Sequence, residues 1–400
     1  MTPHEKPETG SQPVPGPPRG ALASEYIRRA LLLLASVVFF LSLVEFAAFV
    51  HVIDFREFIG NNFAWWPKYN RLDPELIHIR RPYVHFRGET DGGRAAYVLR
   101  IPPSDLTHYQ WDVKCDARGF RNPTDLQTAD IAVIGDSFVE GVTVPQAQLT
   151  TSLLARLQGK VVANLAQGAY GPQQELIVVK RYALPLHPRL IVWMFSAGSD
   201  LDDVVYYDRA MNHPPNLWRA YLERSLLHII YLRLFHPPRH PPGITHMGVF
   251  QAPNGKTVNI YFMDPAKPLT PQNLAAIDRT ARIVAEANEL ASAQGARTLF
   301  VFAPEKFRVF YNLCRYPPDS VCRNWVPNDM PARLEKAVRS IAPDIGYLDL
   351  TPYLVEAAKK GTVPYYPDDD HWSPEGHKIA AEAINDYLLS TRDWAGPSAR

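Results

Sequence analysis

Ser137 is the residue of this 400-residue chain with the clearest setting for nucleophilic chemistry. It follows directly on the apolar run 131–134, in the order Gly135-Asp136-Ser137. Such a run indicates a buried strand, and a glycine permits the tight turn that would leave the serine at the carboxyl end of that strand. A serine hydroxyl becomes a useful nucleophile only when a base accepts its proton. Three residues alone are a weak signal, so the prediction depends on a partner elsewhere in the chain.

The candidate base is His371, which lies in an acidic loop near the other end of the chain. Asp368, Asp369 and Asp370 precede it, and the pair Ser373-Pro374 that follows is typical of a helix start. A histidine with acidic neighbours can supply both a base and the carboxylate that fixes its tautomer. Two other interpretations stay open. The segment could be a solvated acidic loop that caps a helix, or Asp368, Asp370 and His371 could bind a metal ion.

Alternating apolar and amphipathic segments from about residue 130 predict the elements that would hold these residues. Five apolar runs have the length of buried strands: Ile131–Ile134, Val161–Leu165, Leu190–Phe195, Thr298–Phe302 and Tyr347–Leu350. Five helix-like segments alternate with them: Gln146–Leu157, Gln173–Tyr182, Pro271–Ala293, Pro331–Ile341 and Pro374–Leu389. This alternation predicts an α/β fold, with a parallel sheet and helices on both faces. In such folds functional residues collect at the carboxyl ends of the strands.

Two regions depart from that alternation. Residues 54–128 have the pattern of mixed strands and loops that lead into a core domain at 129–392. Residues 204–262 are rich in aromatic residues and proline, and we expect them to form an insertion over the sheet. Long excursions of this kind are often lids or substrate-binding elements. A C-terminal tail at 393–400 would follow the core domain.

The N-terminal part of the chain predicts a membrane anchor at residues 28–53. Residues 30–52 are almost wholly apolar and long enough to span a lipid bilayer. Glu45 interrupts this run in its C-terminal third, where a carboxyl costs less than at the bilayer centre. The pair Arg28-Arg29 precedes the span, so the positive-inside rule favours a single pass through the inner membrane, with a cytoplasmic N-terminus and a periplasmic or extracellular body. Residues 1–27 are typical of a disordered cytoplasmic tail, and the alternative to the anchor is a buried helix of a soluble domain.

Composition limits the partners and cofactors. The formal net charge is +1, so no global field attracts nucleic acid, and no Gly-rich phosphate loop follows a predicted strand. Three cysteines exclude a disulfide scaffold and a four-thiolate metal site, and no Cys/His set has zinc spacing. Cys314 and Cys322 flank a short loop and form either a local disulfide or two separate thiols. We therefore expect no cofactor, no metal ion and no nucleic-acid partner.

Four ordered blocks of sequence resemble those of the SGNH/GDSL hydrolase family. The first is residues 134–138 (IGDSF), the second 164–172 (NLAQGAYGP), the third 195–201 (FSAGSDL) and the last 369–377 (DDHWSPEGH). The last block has the Asp-x-His-Trp form of one subgroup, and Gly119-Phe120-Arg121 resembles a stretch that often precedes the first block. Four matches in the right order are far more specific than any one of them.

The resemblance implies a three-layer, flavodoxin-like α/β fold with about five parallel strands, here preceded by one transmembrane helix. It also implies a triad that needs no cofactor, with Ser137 as nucleophile, His371 as base and Asp369 as the orienting carboxylate. In related subgroups the carboxylate lies three residues before the histidine, which would make it Asp368.

The family builds an oxyanion hole from the serine N–H, a glycine N–H of the second block and an asparagine side chain of the third. By resemblance Gly168 or Ala169 supplies the second donor, and alanine retains the necessary N–H. The third position holds Ser199, whose hydroxyl reaches less far than an amide. This departure implies a weaker hole, a differently built hole, or a chain that has lost hydrolase activity.

Three functions follow from these predictions. The first is an extracytoplasmic hydrolase of acyl esters, acting on an acylated glycan or another small ester. The second is an O-acetyltransferase for an envelope or exported polysaccharide, with the same triad and a sugar hydroxyl in place of water. The third is a catalytically inactive glycan-binding protein. Five aromatic residues could stack on sugar rings or simply pack inside the protein: Tyr170, Trp193, Tyr206, Tyr207 and Trp372.

Overall fold

A computed structural model describes residues 19–50, 52, 53, 55, 69–212, 217–235, 245–263 and 268–391. In chain order the helices are α1 (Arg19–Phe49), α2 (Arg94–Leu99), α3 (Ser137–Glu140), α4 (Thr150–Gln158), α5 (Pro172–Val178), α6 (Asp200–Asn212), α7 (Leu217–Arg224), α8 (Leu226–Phe235), α9 (Pro271–Ser292), α10 (Lys306–Phe310), α11 (Met330–Ile341), α12 (Thr351–Lys359) and α13 (Pro374–Ser390). The strands are β1 (Asn70–Asp73), β2 (Ile77–Arg80), β3 (His85–Asp91), β4 (His108–Lys114), β5 (Ile131–Ile134), β6 (Val162–Asn164), β7 (Leu190–Ser196), β8 (Met247–Gln251), β9 (Thr257–Tyr261), β10 (Arg297–Ala303), β11 (Cys314–Arg315) and β12 (Gly346–Asp349). The chain divides into two compact units, one of residues 1–58 and 217–236 and one of the remainder.

The second unit is built on a five-stranded parallel sheet in the order β12-β10-β7-β5-β6. These are the five strands predicted from the apolar runs, so the predicted α/β fold class is confirmed. The order of the strands along the chain reverses between β5 and β7, which makes this the topological switch point of the sheet. Ligands of such folds bind outside the carboxyl ends of the strands at this point. Ser137 begins the helix directly after β5 and therefore lies there.

Helices cover both faces of the sheet because its strands carry apolar side chains on both sides. On one face Ala132, Ile134 and Trp193 pack in a core that includes residues of α5, α9 and α11. On the other face Ile131 and Val133 pack with residues of α4, α12 and α13. Four of the five predicted helices occur within a few residues of their expected bounds. The segment predicted at 173–182 is a regular α-helix only over α5, after which the backbone widens into a π-helical turn over Val179–Ala183.

The lead-in region before β5 forms two antiparallel pairs, β1 with β2 and β3 with β4. In β4 the buried positions Tyr109 and Val113 alternate with more exposed ones, which is the period of a half-buried strand. This agrees with the mixed strands and loops expected for residues 54–128, of which 54 and 56–68 lie outside the described residues.

The predicted insertion at 204–262 is not a single element. Residues 204–212 belong to α6, which packs against α5 and α9 within the sheet unit. Helices α7 and α8 belong instead to the first unit, together with α1. Strands β8 and β9 form an antiparallel hairpin that adds to β11, with Phe250 and Ile260 buried against the core. The Pro-rich stretches 213–216 and 236–244 lie outside the described residues.

In the first unit, α1 is a 31-residue helix that begins at Arg19. Residues 19–27 are therefore helical rather than part of a disordered tail, because the chain there is rich in helix formers and Glu25 pairs with Arg29 one turn later. Within Ser24–Phe49 the most apolar window has a mean hydropathy of 2.5, and only 6% of that window is buried. By length and composition this helix could cross a membrane. The tails predicted at 1–18 and 393–400 lie outside the described residues.

Candidate active site

The turn between β5 and α3 fixes the position of Ser137. The carboxylate of Asp136 accepts the Phe138 N–H at 2.9 Å and so caps the short helix that begins with the serine. A side chain on Gly135 would come within 2.9 Å of Val139 and 3.2 Å of Met194, so only glycine fits the approach of this turn to the sheet. Ser137 is partly exposed, which leaves its hydroxyl accessible from the carboxyl edge of the sheet.

The loop that precedes α13 brings His371 to Ser137. His371 Nε2 lies 2.8 Å from Ser137 Oγ, and His371 Nδ1 lies 2.5 Å from Asp369 Oδ1. The His371 backbone N–H also donates to Asp369 Oδ1 at 3.0 Å, so one carboxylate oxygen holds both the ring and its backbone. Ser373 and Pro374 begin the following helix as expected, with the Ser373 hydroxyl accepting the Gly376 N–H. This is the arrangement of nucleophile, base and orienting carboxylate that acyl transfer requires.

The environment of His371 favours its charged form. Burial opposes the imidazolium, but the charge and hydrogen bond of Asp369 outweigh it and raise the pKa of His371 to about 9. The side chain of Asp369 is only 8% exposed, whereas that of His371 is 38% exposed, so water screens part of this attraction. Such a histidine is well suited to hold a proton received from Ser137, provided that it starts neutral.

Asp368 takes no part in this arrangement. Its two carboxylate oxygens accept the Tyr109 hydroxyl at 2.6 Å and the Thr107 N–H at 2.8 Å, so it ties the loop to β4. The alternative Asp368 of related subgroups is therefore not the partner of His371 in this structure. Asp368, Asp370 and His371, the alternative metal ligands, have different partners, and no group of three His, Cys, Asp or Glu side chains among the described residues is placed to hold a metal ion.

Lys306, at the start of α10, binds the loop that carries Asp369 and His371. Its ammonium donates to the carbonyls of Asp369 at 2.8 Å, Tyr366 at 3.3 Å and Pro367 at 3.4 Å, and lies 3.4 Å from the Asp370 carboxylate. The side chain is only 1% exposed, so these bonds are shielded from water. Lys306 is therefore a positioning residue for the segment that carries Asp369 and His371. Its place after a strand was visible in the sequence, but its partners were not.

The three residues assigned to the oxyanion hole have different surroundings. The Gly168 N–H donates to Glu140 Oε2 at 2.8 Å, and the Ser199 hydroxyl donates to Asp136 Oδ2 at 3.0 Å. Ala169 adopts a left-handed backbone with φ of 56°, the conformation that favours the glycine expected at this position. The backbone N–H groups of Ala169 and Ser137 have no hydrogen-bond acceptor within the described part of the chain. These two N–H groups are thus the candidate donors for an oxyanion.

Glu140 joins the nucleophile helix to the loop of the second block. Besides Gly168, its carboxylate accepts the side-chain amide of Gln167 at 3.3 Å, and Gln167 in turn donates its N–H to the Gly135 carbonyl at 3.2 Å. Arg80 of β2 neutralises Glu140 at 2.9 Å, with both side chains at least 97% buried. No local pattern in the sequence indicates this pair, since its members are 60 residues apart.

Arg121 accounts for the stretch Gly119-Phe120-Arg121 upstream of the first block. Its buried guanidinium donates to the backbone carbonyls of Glu140, Gly141 and Val144, which lie at and just after the C-terminal end of α3. A side chain on Gly119, which has φ of 90°, would meet the Arg80 carbonyl at 2.3 Å. The stretch therefore fixes both the exit of the nucleophile helix and the strand that carries Arg80.

The third block supports Asp136 rather than the substrate. The hydroxyls of Ser196 and Ser199 both donate to Asp136, at 2.7 Å and 3.0 Å. Burial raises the pKa of Asp136, and burial together with neighbouring carboxyls raises the pKa values of Glu175 and Asp200 well above their usual range. Three buried carboxyls therefore lie behind this turn, and burial disfavours the charged form of each.

The aromatic residues that could stack on a sugar divide into two groups. Tyr170, Trp193 and Trp372 are fully buried and pack in the core, whereas Tyr206 is exposed. Tyr207 is partly buried and donates its hydroxyl to the Glu75 carbonyl. Three of the five are thus structural, because each lies on the inner side of a helix, strand or turn.

An open groove of about 840 Å³ lies between the β3–β4 hairpin and the loop after α3. Trp111 of β4 forms part of its wall, together with Arg87, Lys114, Val144 and Gln146. The Trp111 ring lies across Gly88 of the paired strand, where any side chain would approach it to 2.2 Å. Trp111 was not among the aromatic residues predicted to contact a sugar, since a single tryptophan in a strand does not reveal which surface it faces.

Comparison with known proteins finds that part of the chain is similar to a described family. Residues 262–398 match the family model described as the SGNH hydrolase-like domain of the acetyltransferase AlgX. No curated protein matches the chain.

Three solved structures are similar to this chain over about two thirds of its length. A GDSL-like lipase from Bacteroides thetaiotaomicron has 13% identity and a TM-score of 0.32, over 65% of this chain and 88% of that one. TesA has 13% identity and a TM-score of 0.34, over 65% of this chain and 98% of that one. A two-domain esterase active on acetylated mannans, co-crystallised with mannopentaose, has 13% identity and a TM-score of 0.35, over 67% of this chain and 50% of that one.

Proposed function

We propose that this chain, an SGNH hydrolase-like protein by its family match and its sheet, is a membrane-anchored serine enzyme that cleaves acyl esters of carbohydrates. One observation carries the proposal. His371 Nε2 lies 2.8 Å from the hydroxyl of Ser137, and Asp369 holds the other ring nitrogen. A serine so placed can be activated by its neighbours and needs no cofactor.

The proposed reaction has two halves. Ser137 Oγ attacks the acyl carbon while His371 Nε2 takes the hydroxyl proton, and the N–H groups of Ser137 and Ala169 stabilise the oxyanion. His371 then gives the proton to the leaving alcohol as the ester C–O bond breaks, which leaves the acyl group on Ser137. Water attacks this acyl-serine, His371 accepts a proton from that water, and the acid leaves as the proton returns to Ser137.

The carbohydrate part of the proposal is supported by the groove between the β3–β4 hairpin and the loop after α3. Trp111 offers a flat aromatic surface, and Arg87, Glu89, Asp112 and Lys114 around it offer charged and hydrogen-bonding groups. This is the residue mixture that a polar ring with axial C–H bonds would contact.

An O-acetyltransferase is the second candidate. The family model that matches residues 262–398 is described by an acetyltransferase, and the acyl-serine would form in the same way. Only the second half differs, because a sugar hydroxyl replaces water as the acceptor of the acyl group.

The membrane part of the proposal rests on α1. Its apolar side chains, among them Leu33, Phe39 and Phe40, are more than 60% exposed, which is unfavourable in water and favourable among lipid chains. The Arg28-Arg29 pair before the span supports a cytoplasmic N-terminus and a catalytic unit outside the cytoplasm.

The test treats the detergent-solubilised full chain with a fluorophosphonate probe and compares it with Ser137→Ala and His371→Ala. We expect wild type to be labelled, the first variant not at all, and the second at least 100-fold more slowly. Folded wild type that resists the probe would exclude both enzyme candidates. Acid release from 4-nitrophenyl acetate, measured with and without an oligosaccharide acceptor, then separates hydrolase from transferase.

A further inference from the structure

Glu45 interrupts the apolar stretch of α1 and is buried against the other two helices of its unit. Its Oε2 accepts the Tyr221 hydroxyl of α7 at 2.8 Å, and its Oε1 accepts the Leu227 backbone N–H of α8 at 2.9 Å. The residue is 8% exposed, whereas most of its apolar neighbours on α1 are open. The carboxyl that the sequence analysis treated as a cost of insertion is therefore a contact point between helices.

The contact is specific at the start of α8. Leu227 carries one of the backbone N–H groups that a helix leaves without an internal partner, and a carboxylate there also matches the helix dipole. The neighbouring Ser225 is buried, and its hydroxyl accepts the His228 N–H at 3.0 Å. On the other side of Glu45, the rings of Phe49 and Tyr221 meet edge to face at 5.7 Å. Helices α7 and α8 thus have defined positions on the C-terminal end of α1.

The outer surface of α8 is apolar. Six of its ten residues are large apolar or aromatic side chains that stay between 41% and 68% exposed: Leu227, Ile230, Tyr231, Leu232, Leu234 and Phe235. A helix with apolar residues on nearly every side is normally buried in a core or in lipid. Helix α8 contacts α1, whose exposed surface is apolar as well.

The lengths of these helices set the depth at which they could lie. At about 1.5 Å per residue, α7 and α8 are roughly 12 and 15 Å long, about half of the ~30 Å hydrocarbon core. Glu45 is four residues from the end of α1, or roughly 6 Å along the axis. Trp218 and Tyr231 are exposed on the pair, and such rings concentrate at the membrane–water boundary.

We propose that α7 and α8 form a second membrane-seated element, which lies in the outer boundary of the bilayer that α1 crosses and is joined to α1 through Glu45. The occupant of the apolar surface is lipid. It follows that α1 is retained as an anchor, since removal of a signal segment would take away the acceptor of Tyr221 and Leu227. The inference rests on the anchor part of the proposed function and is independent of catalysis.

The test places a fluorescent maleimide label at single new cysteines in the full chain, reconstituted in phosphatidylcholine vesicles with spin-labelled acyl chains. Leu33→Cys reports on α1, Leu234→Cys on α8 and Leu389→Cys on the sheet unit. The last two are closely matched, with exposures of 68% and 64%. The native cysteines are buried or half-buried, and mock-labelled wild type gives the background.

We expect the spin labels to quench the probes at positions 33 and 234 at least threefold more than the probe at position 389. Quenching at 33 without quenching at 234 would overturn the inference while leaving the anchor intact. No quenching at either would overturn both, and fluorophosphonate labelling of the same samples reports separately on the catalytic proposal. Concentration-dependent cross-linking between copies through position 234, in place of quenching, would identify a second chain as the occupant and also overturn it.

Glu45 is tested in the Leu234→Cys background. We expect Glu45→Leu to lower quenching at position 234 at least twofold, because both bonds are lost, while quenching at position 33 stays high in its own background. Glu45→Gln keeps an acceptor of the same shape and should retain most of the quenching. Unchanged quenching with Glu45→Leu would show that Glu45 does not join the helices. An N-terminal tag that is absent from the membrane-bound chain would contradict the retained anchor.

Discussion

In the proposed reaction His371 must be neutral before it can accept a proton from Ser137, and this requirement would determine the pH dependence. Asp369 raises the pKa of His371 to about 9, so the fraction of chains with a competent base grows as the pH rises toward that value. We therefore expect kcat/KM for 4-nitrophenyl acetate to increase from pH 6 upward and to level off only at alkaline pH. A profile already flat at pH 6 would mean that the free enzyme holds a neutral His371.

Asp369→Asn tests the same interaction from the other side. Without the carboxylate charge the pKa of His371 falls, so the midpoint of the pH profile should move to lower pH. The amide also favours the wrong tautomer, and the maximal rate should drop on the order of 10³-fold. Asp368→Asn is the control, since that carboxyl bonds to Tyr109 and Thr107, and it should leave the midpoint in place. Equal shifts in both variants would refute the role given to Asp369.

Ala169 makes a separate prediction about stability. Its φ of 56° is costly for any residue with a side chain, and glycine there should raise the free energy of unfolding by about 1 kcal/mol. Ala166, three residues earlier in the same loop, is buried and is absent from the positive-φ positions, so Ala166→Gly should instead lower stability. Thermal unfolding of both variants distinguishes backbone strain from a general effect of glycine in this loop.

The short helix α10 holds the loop that carries His371 through the side chain of Lys306. Lys306→Met removes the bonds to three carbonyls, and we expect kcat to fall at least tenfold with little change in KM for a small ester, because the triad is displaced rather than the substrate pocket. Arg308→Met is the matched control on the same helix, where the guanidinium hydrogen-bonds to Glu305 and Asn328 and not to the histidine loop in the described structure. A similar loss of kcat in both variants would indicate general damage to α10.

The β3–β4 hairpin makes a different prediction, about substrate binding. Trp111→Ala should raise KM for an acetylated oligosaccharide about tenfold, because stacking on the groove is lost, and should leave KM for 4-nitrophenyl acetate within twofold. Trp218, exposed in the other unit, provides a control tryptophan. If both substrates were affected equally, the groove would be a structural feature and not a binding site.

The sequence predicted the parts of this unit that depend on local pattern. Five apolar runs became the five strands, and Ser373-Pro374 began α13, because strand burial and helix capping leave a signal within a few residues. Helix α12 was missed because its start, Thr351-Pro352, follows β12 after one residue and offers no separate apolar period. Contacts such as Arg80 with Glu140 were out of reach for another reason: they join residues far apart in the chain, and no short window contains both.

At the scale of the whole molecule, the two units predict how the protein behaves when it is shortened. Removal of residues 1–55 should leave a chain that still partitions into detergent, because the exposed side chains of α8 remain. Replacement of 217–235 by a Gly-Ser linker in that shortened chain should move it to the aqueous phase. Phase separation in a cloud-point detergent measures both. A shortened chain that is already water-soluble would contradict the membrane role of α8.

The division into two units also explains why the sequence wrongly predicted a single insertion at residues 204–262. Residues 204–262 break the α/β alternation, and a lid was the simplest expectation for a long excursion. The structure assigns its middle part to the unit of α1, since Glu45 and the Tyr221–Leu227 segment satisfy each other's hydrogen bonds. Glu45 and its donor Leu227 are 182 residues apart in the chain. No short stretch of sequence contains both, so their contact leaves no local pattern.

The bond from the Thr107 N–H to Asp368 spans 261 positions and connects the beginning of the catalytic unit to its last loop. A ribosome releases the chain from the N-terminus, so Ser137 and its turn are synthesised well before the segment that contains Asp369 and His371. During that interval Ser137 lacks the histidine that is proposed as its base. If Ser137 is the nucleophile as proposed, a chain that ends before residue 369 lacks the proposed base and its carboxylate, and we expect it not to react with the fluorophosphonate probe.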